Sequence, residues 1–158
     1  MNLKSIVFAT VFLSIISGCN NAPTTSTQNP PVVSVEDSDK EMNAAMAKAR
    51  ETFNQFKAHW QDTGVQYSLK FALPTSEDGV EHIWFNPVEI TGSQILAECA
   101  NEPENILNLN IGDQKALDIS NLSDWMIIDE GKCFGGFTIR VLASRDPSVA
   151  PTYEFVDY

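Results

Sequence analysis

The strongest constraint on the fold is a change in the spacing of apolar residues between residues 42 and 73. Over residues 42–60 they recur at alternating intervals of four and three, which places them on one side of an α-helix. They are Met42, Met46, Ala49, Phe53, Phe56 and Trp60. From Val65 to Leu73 every second residue is a large apolar one, the pattern of a half-buried β-strand. The two patterns together predict a helix that packs on a sheet.

Further strands are predicted from short apolar runs bounded by turn residues. They cover residues 80–85, resuming at 88–90, then 94–100, 115–119 and 125–129. Pro87 has no N–H to donate to a sheet, so a bulge or a sheet edge is expected there. We therefore predict an α+β fold, in which one long N-terminal amphipathic helix packs on a twisted, mainly antiparallel sheet of about five short strands.

Other predictions concern segments between and beyond these strands. The S-x-x-E spacing that starts at Ser38 indicates a capping box, so the long helix is expected to begin there. A short helical turn is expected within residues 101–113, and a turn at residues 120–124. Residues 138–144 are expected to continue as a strand or, with Thr138 as the N-cap, to form a short C-terminal helix, which we favour. Residues 147–158 are predicted to be a loosely packed tail.

The first 18 residues have the layout of a secretory signal peptide. Lys4 is their only charged residue, an apolar stretch follows at residues 6–16, and small residues precede Cys19. The apolar stretch is about half as long as the roughly 20 residues that a membrane-spanning helix needs. The four residues ISGC that end at Cys19 resemble the lipobox of bacterial lipoproteins. This resemblance implies cleavage after Gly18 and attachment of lipid to Cys19.

Residues 19–37 are interpreted as a lipidated N-terminus followed by a disordered tether. Asn, Thr, Ser and Pro dominate the segment and it carries no charge up to residue 35. The remaining residues 38–146 are of single-domain size. Lipid at Cys19 would anchor the protein to a membrane of the cell envelope. Asn20 after this cysteine resembles the sorting signal that, in a Gram-negative host, implies the outer membrane facing the periplasm.

Acidic residues dominate the part of the chain that is expected to fold. The whole chain has a formal net charge of -11, and residues 74–130 contain twelve Asp or Glu but one base, Lys115. Such a field opposes binding to nucleic acid and favours a protein partner of positive charge or a cationic ligand. The alternative is a solvated acidic surface that only keeps the domain soluble.

Two cysteines remain once Cys19 is assigned to lipid. In an oxidising envelope compartment, Cys99 and Cys133 are candidates for a disulfide. The bond requires the fold to bring their Cα atoms within about 7 Å of each other. Two separately buried thiols are the alternative, and the sequence leaves both open.

Five short motifs between residues 81 and 140 are distinctive in their order and spacing. They are EHIW at 81–84, NEP at 101–103, IGD at 111–113, SDWM at 123–126, and GGFT at 135–138 with Arg140. Together they resemble the YegJ-like family, a bacterial domain of unknown function, over roughly residues 42–142. The resemblance implies a compact α+β domain of a kind that occurs in small exported proteins. It carries no catalytic residue and no cofactor over to this chain.

Residues of these motifs form a candidate binding patch. Side chains alternate along a strand, so His82 and Trp84 share one face while Glu81 points to the other. Asp and paired Gly residues either shape turns or frame a ligand groove beside Trp84. The predicted patch comprises His82, Trp84, Asp124, Trp125, Gly135 and Gly136. Simple packing of the same residues is the alternative.

The sequence contains no motif of a specific enzyme class. A nucleophile elbow, a phosphate-binding loop and a calcium loop are all missing, and neither His59 nor His82 has the spacing of metal ligands. We therefore predict no catalytic residue, metal or cofactor. The favoured function is a non-catalytic binding or accessory protein of the envelope, with an immunity-type protein as a special case. The alternatives are an envelope hydrolase that uses His82 and a nearby carboxylate, and a structural envelope component.

Overall fold

The structure, a computed structural model, describes residues 39–158. The predicted signal peptide, the lipidation site Cys19 and the tether up to residue 37 lie outside the described residues. Two α-helices and one seven-stranded sheet make up the regular structure. In chain order the elements are α1 (Lys40–His59), β1 (Gln66–Pro74), β2 (Val80–Thr91), β3 (Gln94–Cys99), β4 (Gln114–Asp118), β5 (Leu122–Asp129), β6 (Lys132–Gly135), α2 (Phe137–Arg145) and β7 (Glu154–Val156).

The sheet has the strand order β4-β3-β2-β1-β5-β6-β7. Every neighbouring pair is antiparallel except β6 and β7, which are parallel. The predicted α+β class and mainly antiparallel sheet are therefore correct, but the sheet has seven strands where about five are predicted. The bulge predicted at Pro87 is confirmed, since the β2–β3 register shifts between Pro87 and Glu89.

The long helix packs on one face of the sheet, as its apolar stripe predicts. Ala49, Phe53 and Phe56 are almost completely buried, whereas Met46 is only half-buried. The indole Nε1 of Trp125 in β5 donates to the Ala49 carbonyl at 3.0 Å and fixes the helix against the sheet. The side chains of β1, β2 and β5 that face α1 form the core, and include Leu69, Phe71, Ile83, Phe85, Trp125 and Ile127.

The helix boundaries differ from the predicted ones in their capping residues. Asp39, and not Ser38, is the N-cap of α1, because its carboxylate accepts the N–H of Met42 at 3.0 Å. The predicted C-terminal helix exists as α2, but its N-cap is Gly136 in the left-handed region (φ 64°) and not Thr138. A residue outside the helix supplies the acceptor that Gly136 lacks, as described below.

Three segments beyond residue 100 do not have the predicted structure. Residues 101–113 form no helical turn, because their amides bond to β2 and β3 instead. β5 starts at Leu122, so the turn predicted at 120–124 ends three residues earlier than expected. The loosely packed tail predicted at 147–158 contains β7, whose register aligns Cys133 of β6 with Phe155.

The disulfide considered for Cys99 and Cys133 does not form, and the alternative of two separately buried thiols holds. β3 and β6 are four strand positions apart, which corresponds to about 19 Å at the usual spacing of strands. Burial raises the pKa of both thiols, to about 12 for Cys133. Neither thiol therefore ionises at neutral pH.

Candidate functional site

The sheet face that points away from α1 carries a group of polar side chains, which we call the polar cluster. The register aligns Lys70 of β1 with Trp84 of β2 on one side and with Asp124 of β5 on the other. His82 lies two residues before Trp84 and therefore on the same face. The polar cluster comprises Lys70, His82, Trp84, Ser123, Asp124 and Thr138.

Lys70 lies at the centre of the polar cluster. Its Nζ is 4.7 Å from the centre of the Trp84 ring and donates to Thr138 Oγ1 at 3.3 Å. Within residues 39–158 no carboxylate lies close enough to Lys70 to form an ion pair. Burial lowers the pKa of this ammonium group, while the charge of Asp124 acts in the opposite direction. The positive charge of Lys70 is thus stabilised by the face of the Trp84 ring and by the hydrogen bond to the Thr138 hydroxyl.

Asp124 is fully buried and supplies the cap that α2 otherwise lacks. Oδ1 accepts the N–H of Phe137 at 3.0 Å and that of Trp125 at 2.9 Å, and Oδ2 accepts the N–H of Thr138 at 2.8 Å and its hydroxyl at 2.5 Å. A carboxylate is favoured there by the positive end of the helix dipole. Burial raises the pKa of Asp124, whereas Lys70 and these hydrogen bonds oppose that rise. The role of this carboxylate is to join α2 to β5.

His82 is bonded to the Ser123 hydroxyl in a way that does not activate it. His82 Nδ1 lies 2.9 Å from Ser123 Oγ, and Ser123 Oγ lies 3.1 Å from the Lys70 carbonyl oxygen. The carbonyl can only accept, so the hydroxyl proton points to it and His82 donates from Nδ1. Ser123 is also buried. Nucleophilic catalysis requires a histidine that accepts the proton of the serine hydroxyl, and His82 does not do so for Ser123.

The predicted carboxylate partner of His82 is not found among the described residues. Glu81 points to the opposite face, where its two carboxylate oxygens accept the N–H groups of Glu104 and Asn105, each at 2.8 Å. The Asp124 carboxylate already accepts hydrogen bonds from the first amides of α2. Burial lowers the pKa of His82, and the charge of Lys70 lowers it further. The geometry therefore does not favour the hydrolase alternative.

The structure brings three of the six predicted patch residues together, namely His82, Trp84 and Asp124. Trp125 lies on the opposite face in the core. Gly135 lies against Trp125, where an added Cβ would be 2.2 Å from the Trp125 carbonyl oxygen. Gly136 caps α2. These three residues are structural.

Sequence reasoning missed Lys70, Ser123 and Thr138. One signal was available for Lys70, which is the single Lys or Arg in residues 58–114 and stands between two apolar core residues. Ser123 and Thr138 approach the polar cluster because of a register irregularity in β5 and the position of α2. Neither is encoded in a local pattern.

A second candidate surface is an Ω-loop formed by residues 100–112, a compact loop whose two ends meet. Its ends are joined by bonds from Cys99 N to Asp113 O and from Gly112 N to Cys99 O, both at 2.9 Å. Glu81 holds its middle, and Asn101 Oδ1 accepts the N–H of Trp84 at 2.7 Å. The motifs EHIW, NEP and IGD thus act together to fix this loop on the edge of β2.

A shallow groove of about 330 Å³ lies between the C-terminal end of α1 and the bulge of β2, and includes no residue of the predicted patch. Its walls are formed by Lys57, Trp60, Gln61, Val88, Glu89 and Ile90. Within residues 39–158 there is no group of three His, Cys, Asp or Glu residues placed to hold a metal ion.

Neither helix of the described chain is both long enough and apolar enough to cross a membrane.

Comparison with known proteins places the chain among bacterial sequences. A family model described as an uncharacterized protein conserved in bacteria (DUF2314) matches residues 39–148. A protein of Neisseria meningitidis serogroup B that is named as an ankyrin repeat protein is 31% identical over an alignment of 121 residues, and the match covers 70% of this chain and 48% of the relative. The uncharacterized protein YegJ of Escherichia coli K12 is 28% identical over 75 residues, which are 47% of this chain and 49% of the relative.

The chain spans about half the length of these curated relatives. No solved structure matches it. The family model covers the helix α1, the whole Ω-loop and the polar cluster, and the resemblance that the five motifs predict is confirmed. The chain therefore belongs to the DUF2314 family of bacterial proteins.

Proposed function

We propose that this chain is a non-catalytic binding or accessory protein of the bacterial cell envelope, whose acidic surface contacts a protein partner of positive charge. The supporting observation is the burial and the ion pairing of the twelve acidic residues in residues 74–130. Glu81 and Asp124 are buried and bonded to backbone amides, and the other ten are at the surface. None of those ten forms an ion pair within residues 39–158.

The distribution of basic residues supports the same proposal. The ion pairs of the described chain use bases of α1 and α2, such as Lys48 with Glu51 and Arg145 with Glu41. The surface carboxylates between residues 74 and 130 are left to repel one another. A cationic partner would relieve this repulsion and would be steered to the surface by its field. We expect complexes of this kind to weaken with added salt.

The location is part of the proposal. Lipid at Cys19, after cleavage behind Gly18, would attach the protein to a membrane, and residues 19–37 would act as the tether. In a Gram-negative host the domain would then face the periplasm from the outer membrane. Metabolic labelling with a palmitate analogue tests this step, because Cys19→Ala should lose both the label and the membrane fraction. Equal labelling of the variant and the wild type would reject it.

Co-purification from detergent-solubilised membranes tests the binding function. We expect a protein of basic surface to be retained at about 50 mM NaCl and released at about 500 mM, because the Debye length falls well below 10 Å over this range. If no protein is retained at low salt, the proposal is wrong. An immunity-type function is a special case, in which the retained protein would be a toxin whose activity this chain suppresses.

A structural envelope component remains the second candidate from the sequence, and it predicts a different result. Such a protein would be retained with the cell wall or membrane irrespective of salt. The same purification at two salt concentrations therefore separates the two functions.

A further inference from the structure

We infer that the Ω-loop (residues 100–112) is the contact surface of this protein, and that it fits a basic protein surface with an apolar recess that receives Leu107. The inference rests on the proposed function and names the surface and the kind of partner. Its first support is the contrast between neighbouring side chains of the loop. Ile106 and Leu109 pack against the core, whereas Leu107 between them is 76% exposed.

The exposure of Leu107 is maintained by a fixed backbone. Hydrogen bonds hold the loop at both ends and at Glu104 and Asn105, and the side chain of Leu109 is inserted into the core. Asn108 has a positive φ of 61°, so the chain turns directly after Leu107. An apolar side chain displayed in this way loses little conformational entropy when a partner buries it, which favours affinity.

A second aliphatic side chain of the same loop, Ile111, is 53% exposed. Isolated exposed apolar residues are common and need no explanation. Leu107 and Ile111, however, lie on one fixed loop and are surrounded by charged side chains. This arrangement matches the usual composition of a protein interface, which has an apolar centre and a polar rim. The loop is therefore a better candidate than Val88, which is 49% exposed on the bulge of β2 and belongs to no such loop.

The negative charge around the loop indicates that the partner surface is basic. Glu102, Glu104 and Asp113 are exposed on the loop or at its end. The β1–β2 turn, which bonds to the loop through Ser76 N and Asn105 O at 3.2 Å, adds exposed Glu77 and Asp78. No basic side chain pairs with any of these five carboxylates within residues 39–158. Charge complementarity requires Lys or Arg residues around the recess of the partner.

Site-specific photo-crosslinking and titration test the inference on the full lipidated chain. A photoreactive residue is placed at position 107 in one sample and at position 88 in the other, and the captured protein is identified and purified. Its affinity is then measured for the wild type, Leu107→Ser and Val88→Ser. Both replaced side chains are exposed, so both variants should keep the melting temperature of the wild type, which serves as the check on folding.

We expect capture of a protein from position 107 and not from position 88. Leu107→Ser should weaken its binding about tenfold, as loss of an interface anchor does, and Val88→Ser less than about twofold. Capture from position 88 alone, capture of lipid, or unchanged affinity of Leu107→Ser would overturn the inference and leave the proposed function standing. If neither position captures a protein and none is retained on the membranes at low salt, both are overturned.

Discussion

At the scale of single residues, the junction of β6 and α2 depends on glycine at position 135. Its φ of 77° lies in the left-handed region, and an added Cβ would also be 2.2 Å from the Trp125 carbonyl oxygen. Trp125 is completely buried and bonded to α1, so it cannot move aside without disturbing the core. The motif GGFT is thus explained by a close approach of two backbone segments.

Gly135→Ala should destabilise the fold by at least about 3 kcal/mol, because it adds a steric clash to left-handed strain. Gly131→Ala is the matched control, since Gly131 has a φ of 80° but open space around its Cα. The control should cost only about 1 kcal/mol, the strain of a non-glycine residue in this region. Urea unfolding of both variants measures the difference. Equal losses would show that the contact with Trp125 is not as close as described.

His82 makes a second prediction at this scale, which concerns pH. Its folded-state pKa is lowered by burial below the unfolded value of 6.5. As the pH falls through 6.5, the unfolded chain binds a proton that the folded chain does not, so stability decreases on the acid side and is unaffected above the unfolded pKa. His82→Asn keeps a donor for Ser123 but cannot titrate. Urea midpoints at pH 7.5 and 5.5 should therefore differ less for His82→Asn than for the wild type; a larger difference would contradict this account.

At the scale of elements, α2 is attached to the sheet by a residue that is remote in sequence. The carboxylate of Asp124 in β5 receives the first amides of α2, and Arg145 at the other end of the helix pairs with Asp39 and Glu41 of α1. α2 is therefore joined to both layers of the fold. Local signals predict its existence but could not reveal what caps it, because the capping carboxylate lies thirteen residues away on another element.

Asp124→Asn should destabilise the protein by about 3 kcal/mol, because one amide oxygen cannot replace the two carboxylate oxygens that accept four hydrogen bonds. Hydrogen exchange of the Phe137 and Thr138 amides should accelerate with it. Asp129→Asn, at the exposed end of the same strand, is the control and should change stability by less than about 0.5 kcal/mol. A stable Asp124→Asn variant with protected amides would contradict the capping role.

The Ω-loop provides a second prediction at this scale. Glu81→Gln leaves one carbonyl oxygen to accept two N–H groups and should loosen the middle of the loop. Exchange of the Glu104 and Asn105 amides should accelerate about tenfold, the effect of losing one bond to a charged acceptor. The amides of Cys99 and Gly112, which join the two ends of the loop, should stay protected from exchange in the same measurement. Uniform acceleration over the whole domain would instead indicate global destabilisation.

Predictions from the sequence agree with the structure where they depend on residues that are neighbours in the chain. The spacing of apolar residues predicts α1 and β1 to β3 within a few residues, because side-chain periodicity is a property of neighbouring residues. The apolar pattern does not predict β7, because this strand is short and exists only through pairing with β6. The sequence predicts a helical turn where the Ω-loop lies, because no local signal shows that Glu81 of β2 anchors the loop. For the same reason, the sequence could not reveal that Trp125, Gly135 and Gly136 lie apart from the other three residues of the predicted patch.

At the scale of the whole molecule, charge and fold divide the described chain into two regions. The bases of the ion pairs all belong to α1 and α2, whereas the surface acids of residues 74–130 form no ion pair within residues 39–158. We propose that the region of unpaired acids binds the partner, whereas the ion-paired region stabilises the fold. The sequence shows the count of acids, but only the fold shows that none of the ten surface ones forms an ion pair within residues 39–158.

The most direct test compares two variants of equal net charge. One replaces three acids near the Ω-loop, Glu77→Gln, Glu102→Gln and Glu104→Gln, and the other replaces Glu51→Gln, Asp62→Asn and Glu154→Gln in α1, the loop after it and β7. All six side chains are exposed. Retention of the membrane partner at about 50 mM NaCl is measured for both. We predict that only the first variant loses the partner; equal retention by the two variants would contradict the account.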